Sequence, residues 1–541
     1  MSAAAERENR LSELKSGKIF DLLVIGGGAT GCGIAVDAAH RGLSVALVER
    51  QDFAEGTSSR STKLLHGGVR YLEHAVRKLD RAHLKLVLEA LRERGALLAN
   101  APHLSRRLAM VTPIYRWAEV PYVYAGLKLY DFLSGRRSIG SSRLLSRAET
   151  LKLLPGLKAD GLRAGVLYYD GQFVDSRLVI ALMRTARTAG AVLANQVEAD
   201  GILHDESGRA TGATLHDRLS GERWKIQARA VINATGPFAD HIAKMDERGA
   251  KDMLTVSSGI HIVLDRKYIP PETGLLIPKT DDGRVLFILP WQDHALVGTT
   301  DEPAPLEEHP RAAEADVAYL LDHAKRYLSA DIKASDIKAR WSGLRPLAYD
   351  PKAKNSAELA RDHVLIEAKS GLITITGGKW TTYRLMAEQT VDHAIRRAGL
   401  AAQPCRTETL RLLGGAAFDP QGETVLMRDF GLAEDVARHL NRTYGDQGRS
   451  VAELAAQGFG QRLDPAHPYI EADVLQAVRH EDAAHVVDVL ARRMSLALVD
   501  RDAARRAAPR VGAIMAGELG WDEARRVAEL ELATLRLEEA V

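Results

Sequence analysis

The stretch at residues 20–50, FDLLVIGGGATGCGIAVDAAHRGLSVALVER, limits the possible folds of this chain more than any other. Residues 22–25 are a short apolar run with β-branched side chains, which predicts a buried strand. Gly26, Gly28 and Gly31 follow as G-x-G-x-x-G. Ile34, Ala35, Ala38 and Ala39 then recur at helical spacing, and residues 44–48 predict a second strand closed by Glu49. Each glycine has a physical task. Gly26 permits the tight turn, Gly28 lets a pyrophosphate approach the backbone, and Gly31 lets helix pack on strand. The helix N-terminus offers free N–H groups and a positive dipole end to phosphate. Glu49 stands about twenty residues beyond the glycines, where an acid meets ribose hydroxyls. The glycines alone are weak evidence. With strand, helix, strand and acid in order, they predict a dinucleotide site.

Composition narrows the class. With 541 residues there is room for two or three domains and a large core. A net charge of +2 gives no global field for nucleic acid. Cys32 and Cys405 are the only cysteines, too few for a cysteine-ligated iron–sulfur cluster. They also speak against a disulfide framework and suggest a reducing compartment. No metal site is expected. Residues 1–18 are polar and lack the apolar centre of a signal peptide. No apolar run reaches the roughly 18 residues of a spanning helix, so only a position on a membrane surface stays open.

Beyond Glu49, residues 57–74 (TSSRSTKLLHGGVRYLEH) begin hydroxyl-rich and crowd Lys63, His66, Arg70 and Tyr71 around Gly67 and Gly68. This density predicts an active-site loop beside the cofactor. Residues 78–99 have an amphipathic helical pattern. Residues 115–132 gather Tyr115, Trp117, Tyr122, Tyr124, Tyr130 and Phe132, with Lys128, Arg136, Arg137, Arg143 and Arg147 nearby. Two readings stay open there: a lipid headgroup boundary, or core packing. Strands are expected at 166–169 and 191–197, and a helix at 176–189 capped by Asp175. A hairpin is expected at 213–219 and 224–227. Asn233, Ala234, Thr235 and Gly236 end another strand in small residues, as a close backbone approach to a cofactor requires. Short strands at 261–264, 285–289 and 295–299 predict an antiparallel substrate sheet. Residues 372–376, Gly377, Gly378 and a helix from Thr381 or Thr382 repeat the strand–glycine–helix logic, as though the chain returns to the same cofactor. Residues 411–421 are expected to be a linker. Residues 474–493 and 521–539 predict helices of a separate C-terminal domain.

The fold class expected is therefore α/β: a Rossmann-like dinucleotide domain with an antiparallel-sheet substrate domain, then a C-terminal α-helical domain. The expected boundaries are a tail at 1–19, interleaved domains at 20–410 and the helical domain at 411–541.

These residues resemble the FAD-dependent, quinone-linked glycerol-3-phosphate dehydrogenases. IGGGATGCGIAVDAAHRG (25–42) and GGKWTTYRLMA (377–387) are similar to the two signatures of that family. HGGVRYLEH, NATGPF, GTTD and SGLRPL agree as well. One departure is that some members carry a lysine shortly before the position of His261, where this chain has Ser258, Gly259 and Ile260. A role for that lysine is not transferred.

The resemblance implies oxidation of sn-glycerol 3-phosphate to dihydroxyacetone phosphate. A hydride passes from C2 to FAD N5, and the electrons pass on to quinone. It implies FAD contacts at Gly26, Gly28, Gly31, Glu49, Thr57, Ser58, Lys63, His66, Gly67, Val197, Ala234, Thr235, Gly236, Gly378, Lys379 and Thr381. Substrate binding is expected from Arg70, Tyr71, Arg345, Arg361 and Lys379, since a phosphate dianion calls for planar guanidinium donors. His261 and His66 are the candidate bases, and Arg345 is a candidate to polarise the reacting oxygen. A cytoplasmic protein held peripherally at the inner face of the membrane is implied, and a homodimer is compatible with it; nucleic acid is not a partner. Competing readings are a glycerol-phosphate oxidase that uses oxygen, an amino- or hydroxy-acid oxidase, a tRNA-modifying flavoprotein and a non-catalytic subunit of a membrane complex.

Overall fold

The computed structural model describes residues 3–67, 81–278, 280, 283–348 and 363–539. Its first sheet is built around Ile19–Ile25, which lies parallel between Arg223–Asn233 and Val45–Val48. Val192–Ala194 extends it on one side, and Ile373–Gly377 with the antiparallel His363–Glu367 on the other. The central strands are apolar on both faces because helices cover them: Leu22, Leu23 and Val24 are fully buried. The helix Ala29–His40 packs on one face, bringing Ile34, Ala35 and Ala38 into the core. The predicted hairpin is Ala210–Asp217 with Arg223–Asn233, joined by Val197–His204 into a small meander.

The second sheet is the substrate layer. Leu254–Asp265 pairs antiparallel with Ile337–Ala348 and with His294–Gly298, and Leu286–Trp291 follows. One pair departs from the expected antiparallel plan, since Thr273–Ile277 runs parallel to Ser105–Ile114. The expected helix at 78–99 is Arg81–Asn100.

Three local expectations are corrected. The segment read as an N-terminal tail forms the helix Ala3–Lys15. Leu11 and Leu14 seat it against the first sheet, and Arg7 bonds Asp217 at 2.8 Å. Two leucines in a polar segment are too few to announce a helix by periodicity. The run at 474–493 is not one helix: Glu471–His480 ends, and Asp482 takes a left-handed φ of 55°. A buried ion pair of Glu481 with Arg177 and a half-buried one of Asp482 with Arg10 flank that break. Asp175 opens the helix Asp175–Thr188 without capping it from an N-cap position; its carboxylate receives the Lys63 ammonium.

The C-terminal helices share a core with the substrate sheet. Trp291 and Trp341 from the sheet are buried in the same cluster as Val474, Leu490, Leu498 and Met515. Tyr130 is buried, while Trp117 is 63% and Phe132 80% exposed, so core packing accounts for only part of the aromatic segment. Among the described residues no helix is long and apolar enough to cross a membrane.

Candidate active site

The glycine turn does what its spacing requires. Gly26 has φ +112°, and a Cβ there would lie 2.6 Å from the Ala234 carbonyl oxygen. A Cβ on Gly31 would lie 1.9 Å from the Gly26 oxygen, so any side chain would push the helix off the strand. Gly28 precedes the helix, whose first amide, that of Ala29, donates to Ser58 Oγ at 2.9 Å. Glu49 accepts from the amides of Gly27 at 2.6 Å and Gln51 at 2.9 Å. Enclosure raises this carboxyl above its ordinary range, and the two amides oppose that rise.

These elements wall one crevice. Gly26, Gly28, Glu49, Thr57, Ser58, Val197, Ala234, Thr235, Gly236, Gly378 and Lys379 all line it. Both glycine turns therefore meet in one cavity, with the bare backbone and helix N-terminus that a dinucleotide diphosphate needs. The residues present fit FAD.

Other expected positions fall elsewhere. Gly31 acts in helix–strand packing. Lys63 is fully buried, and its ammonium is bound to both Asp175 oxygens at 2.7 Å and to the Ser59 carbonyl. Its charge is committed to that pair, behind the crevice wall. The Gly67 amide donates to the Tyr130 hydroxyl at 2.8 Å, and a Cβ on Gly67 would meet that oxygen at 2.4 Å. The His66 carbonyl accepts from Thr381 Oγ1 at 3.5 Å. His66, Gly67 and Thr381 thus tie the loop to the second glycine turn, outside the lining of the crevice. Arg70, Tyr71 and Arg361 lie outside the described residues.

Arg345 and His261 share one face of the substrate sheet. Ser257, Gly259 and His261 alternate along one strand and pair with Arg345, Gly343 and Trp341 of the next. The Arg345 guanidinium lies across Gly259, where a Cβ would fall 2.0 Å from it. Thr299 Oγ1 and the Thr300 carbonyl each accept from it at 3.0 Å, and Asp301 at 3.2 Å. His261 is 2% exposed, stacks on Trp341 at 5.3 Å, and places Nε2 3.0 Å from Thr62 Oγ1. Burial first, then the charges of Lys63 and Arg345, hold its pKa well below the usual 6.5. The imidazole is therefore neutral at pH 7.

Several crevice residues were missed in the sequence. Arg50 and Gln51 reach Glu308 at 3.0 and 2.9 Å, drawing a distant loop across the crevice rim. Trp380 lines the second turn, and Arg60 stands in the wall. Arg50 and Arg60 belong to segments the sequence had singled out; Gln51 lies just past the first of them, and Glu308 carries no local signal. Elsewhere, His294, His467 and Asp500 bring ligand atoms within 4.8 Å of one another. Lys338 already supplies a cation there, 3.0 Å from Asp500, which also caps the following helix through the Ala503 amide.

A glycine-turn crevice shared between a parallel sheet and a mixed substrate sheet defines a dinucleotide-dependent oxidoreductase. The family model described as FAD dependent oxidoreductase matches residues 21–384, and that described as C-terminal domain of alpha-glycerophosphate oxidase matches 405–526. The mitochondrial glycerol-3-phosphate dehydrogenase of Mesocricetus auratus is 47% identical over 98% of this chain and 74% of its own. That of Arabidopsis thaliana is 44% identical over 98% and 88%. The crystal structure of a Bacillus halodurans glycerol-3-phosphate dehydrogenase complexed with FAD superposes with TM-score 0.81 at 30% identity, covering 100% of this chain and 98% of that one. The chain belongs to the FAD-dependent oxidoreductases and, within them, to the glycerol-3-phosphate dehydrogenases.

Proposed function

We propose that this protein oxidises sn-glycerol 3-phosphate to dihydroxyacetone phosphate and delivers the electrons to a membrane quinone. The observation that carries the reaction is likeness along the whole chain to glycerol-3-phosphate dehydrogenases, 47% identical over 98% of its length in one relative. Bound FAD supplies the two-electron acceptor. Gly26, Gly28, Glu49, Ser58, Thr235 and Gly378 hold it along the crevice they line.

The protein's own groups bind the substrate and move its proton. Arg345, held by Thr299, Thr300 and Asp301, presents a fixed guanidinium to the reacting oxygen and stabilises charge as it develops. Lys379, with Arg70, Tyr71 and Arg361, takes the phosphate. His261, kept neutral, accepts the hydroxyl proton through Thr62, whose hydroxyl lies 3.0 Å from its Nε2. Dihydroxyacetone phosphate formed with a soluble quinone analogue, without peroxide, tests the reaction against the oxygen-using reading.

Access to a quinone requires contact with lipid. Trp117 and Phe132 project at the two ends of the segment around the helix Val120–Ser134, and Arg137 and Arg143 follow it. Exposed aromatics beside cations suit an interfacial anchor. This supports peripheral attachment through that segment.

A further inference from the structure

Arg60 is a buried charge that the fold does not balance. It is 5% exposed. One terminal nitrogen donates to the Ser342 carbonyl at 3.3 Å; the other is buried and has no hydrogen-bond partner. Among the described residues no carboxylate forms an ion pair with it. The nearby acids are already engaged. Glu55 accepts from Arg536 at 2.8 Å and lies 3.4 Å from Arg492. Asp52 accepts from Arg492 at 2.5 Å and from Arg493 at 2.8 Å, and Asp488 accepts from Arg492. Arg492, Arg493 and Arg536 thus engage Asp52, Glu55 and Asp488, and none of these three carboxylates hydrogen-bonds Arg60. Burial first, then repulsion by Arg536 and Arg492 against the opposing attraction of Glu55, brings the Arg60 guanidinium down to about 9. The backbone behind Arg60 is fixed: a Cβ on Gly343 would stand 2.8 Å from the Arg60 carbonyl oxygen. Native folds rarely leave a buried donor unpaired, and an uncompensated buried charge is costly. Arg60 lines the cofactor crevice.

We infer that Arg60 is the anion-holding side chain of this crevice, its guanidinium pairing with the diphosphate of bound FAD or donating to the N1–C2=O edge of the flavin, which becomes negative on reduction. The inference rests on FAD as the resident cofactor. It also gives the C-terminal arginines a purpose: they occupy Asp52 and Glu55, which leaves Arg60 for the cofactor.

The test compares the full-length wild type with Arg60→Met, Arg60→Gln and Arg60→Lys, each stripped of flavin and titrated with FAD and with riboflavin, which lacks the diphosphate. Charge-assisted hydrogen bonds of this kind predict an FAD Kd raised about tenfold or more in the Met and Gln variants, with Lys in between. The flavin-free Met variant should melt no lower than flavin-free wild type, because an unpaired buried charge has been removed. A structural arginine would lower both melting temperatures together. Weakened FAD with unchanged riboflavin assigns the diphosphate, and parallel weakening assigns the flavin ring. An unchanged FAD Kd in both Met and Gln variants overturns the inference. Wild type that fails to bind FAD at all would instead overturn the cofactor reading on which it rests.

Discussion

The indole Nε1 of Trp380 donates to the Ser58 carbonyl oxygen at 3.0 Å. The Ser58 hydroxyl in turn accepts from the Ala29 amide, so one short chain of contacts ties the second glycine turn to the first. Phe173 and Tyr383 brace the indole edge-on at 5.0 and 5.4 Å. Trp380→Phe keeps an aromatic ring between those two neighbours and deletes the donor together with part of the indole. One such hydrogen bond contributes about 1 kcal/mol to stability, so FAD should bind more weakly where the two turns part, and the flavin-free protein should lose about 1 kcal/mol of stability. Flavin fluorescence titration reads the first quantity and calorimetry the second.

Arg345→Lys should not behave as a conservative change. The guanidinium spans Thr299, Thr300 and Asp301 at once, and an ammonium cannot reproduce that fork. A loss of about 2–4 kcal/mol in kcat/KM is expected, the range seen when a donor to developing negative charge is removed. Near-native kcat/KM would remove Arg345 from the reacting centre.

Acid should destabilise the fold through His103. It is 6% exposed, and burial together with the nearby Arg177 lowers it to about 4. Its folded value lies below its unfolded value near 6.5, so the unfolded chain binds the proton first. Stability is therefore unaffected by this group above pH 6.5 and is lost as pH falls toward 4, at about 1.4 kcal/mol per pH unit. In chemical denaturation, the stability difference between wild type and His103→Asn should shift along that window and stay constant above it. A difference independent of pH would contradict the assignment.

Membrane docking has a sharper test than sequence alone offers. Among the described side chains of the segment Trp117 and Phe132 are exposed, whereas Tyr130 is buried and Tyr124 packs against the large core. Serine at both Trp117 and Phe132 should reduce co-sedimentation with anionic liposomes at high salt, where the charge contribution is screened. Equal binding by wild type and variant would move the docking surface elsewhere.

The crevice was legible wherever its requirements are local. Gly26 and Gly31 leave a spacing because backbone passes within contact distance of them, and Glu49 follows from the strand that carries it. The same holds for Gly377 and Gly378, both at positive φ. What escaped is long-range. Glu308 joins Arg50 and Gln51 from some 257 positions away, and Arg492 and Arg493 reach Asp52 across more than 400. No periodicity records such pairs. Lys63 shows the converse: its place in a dense polar loop suggests a cofactor contact, and the fold pairs its ammonium with Asp175. Local composition announces a polar site but not which partner each charge will find.

The central claim is most directly tested by anaerobic addition of sn-glycerol 3-phosphate to the purified flavoprotein while following flavin absorbance. Bleaching of the oxidised flavin band, one dihydroxyacetone phosphate formed per flavin, and recovery of the band on adding a quinone analogue are the predicted results. A flavin that stays oxidised in excess substrate would contradict the account.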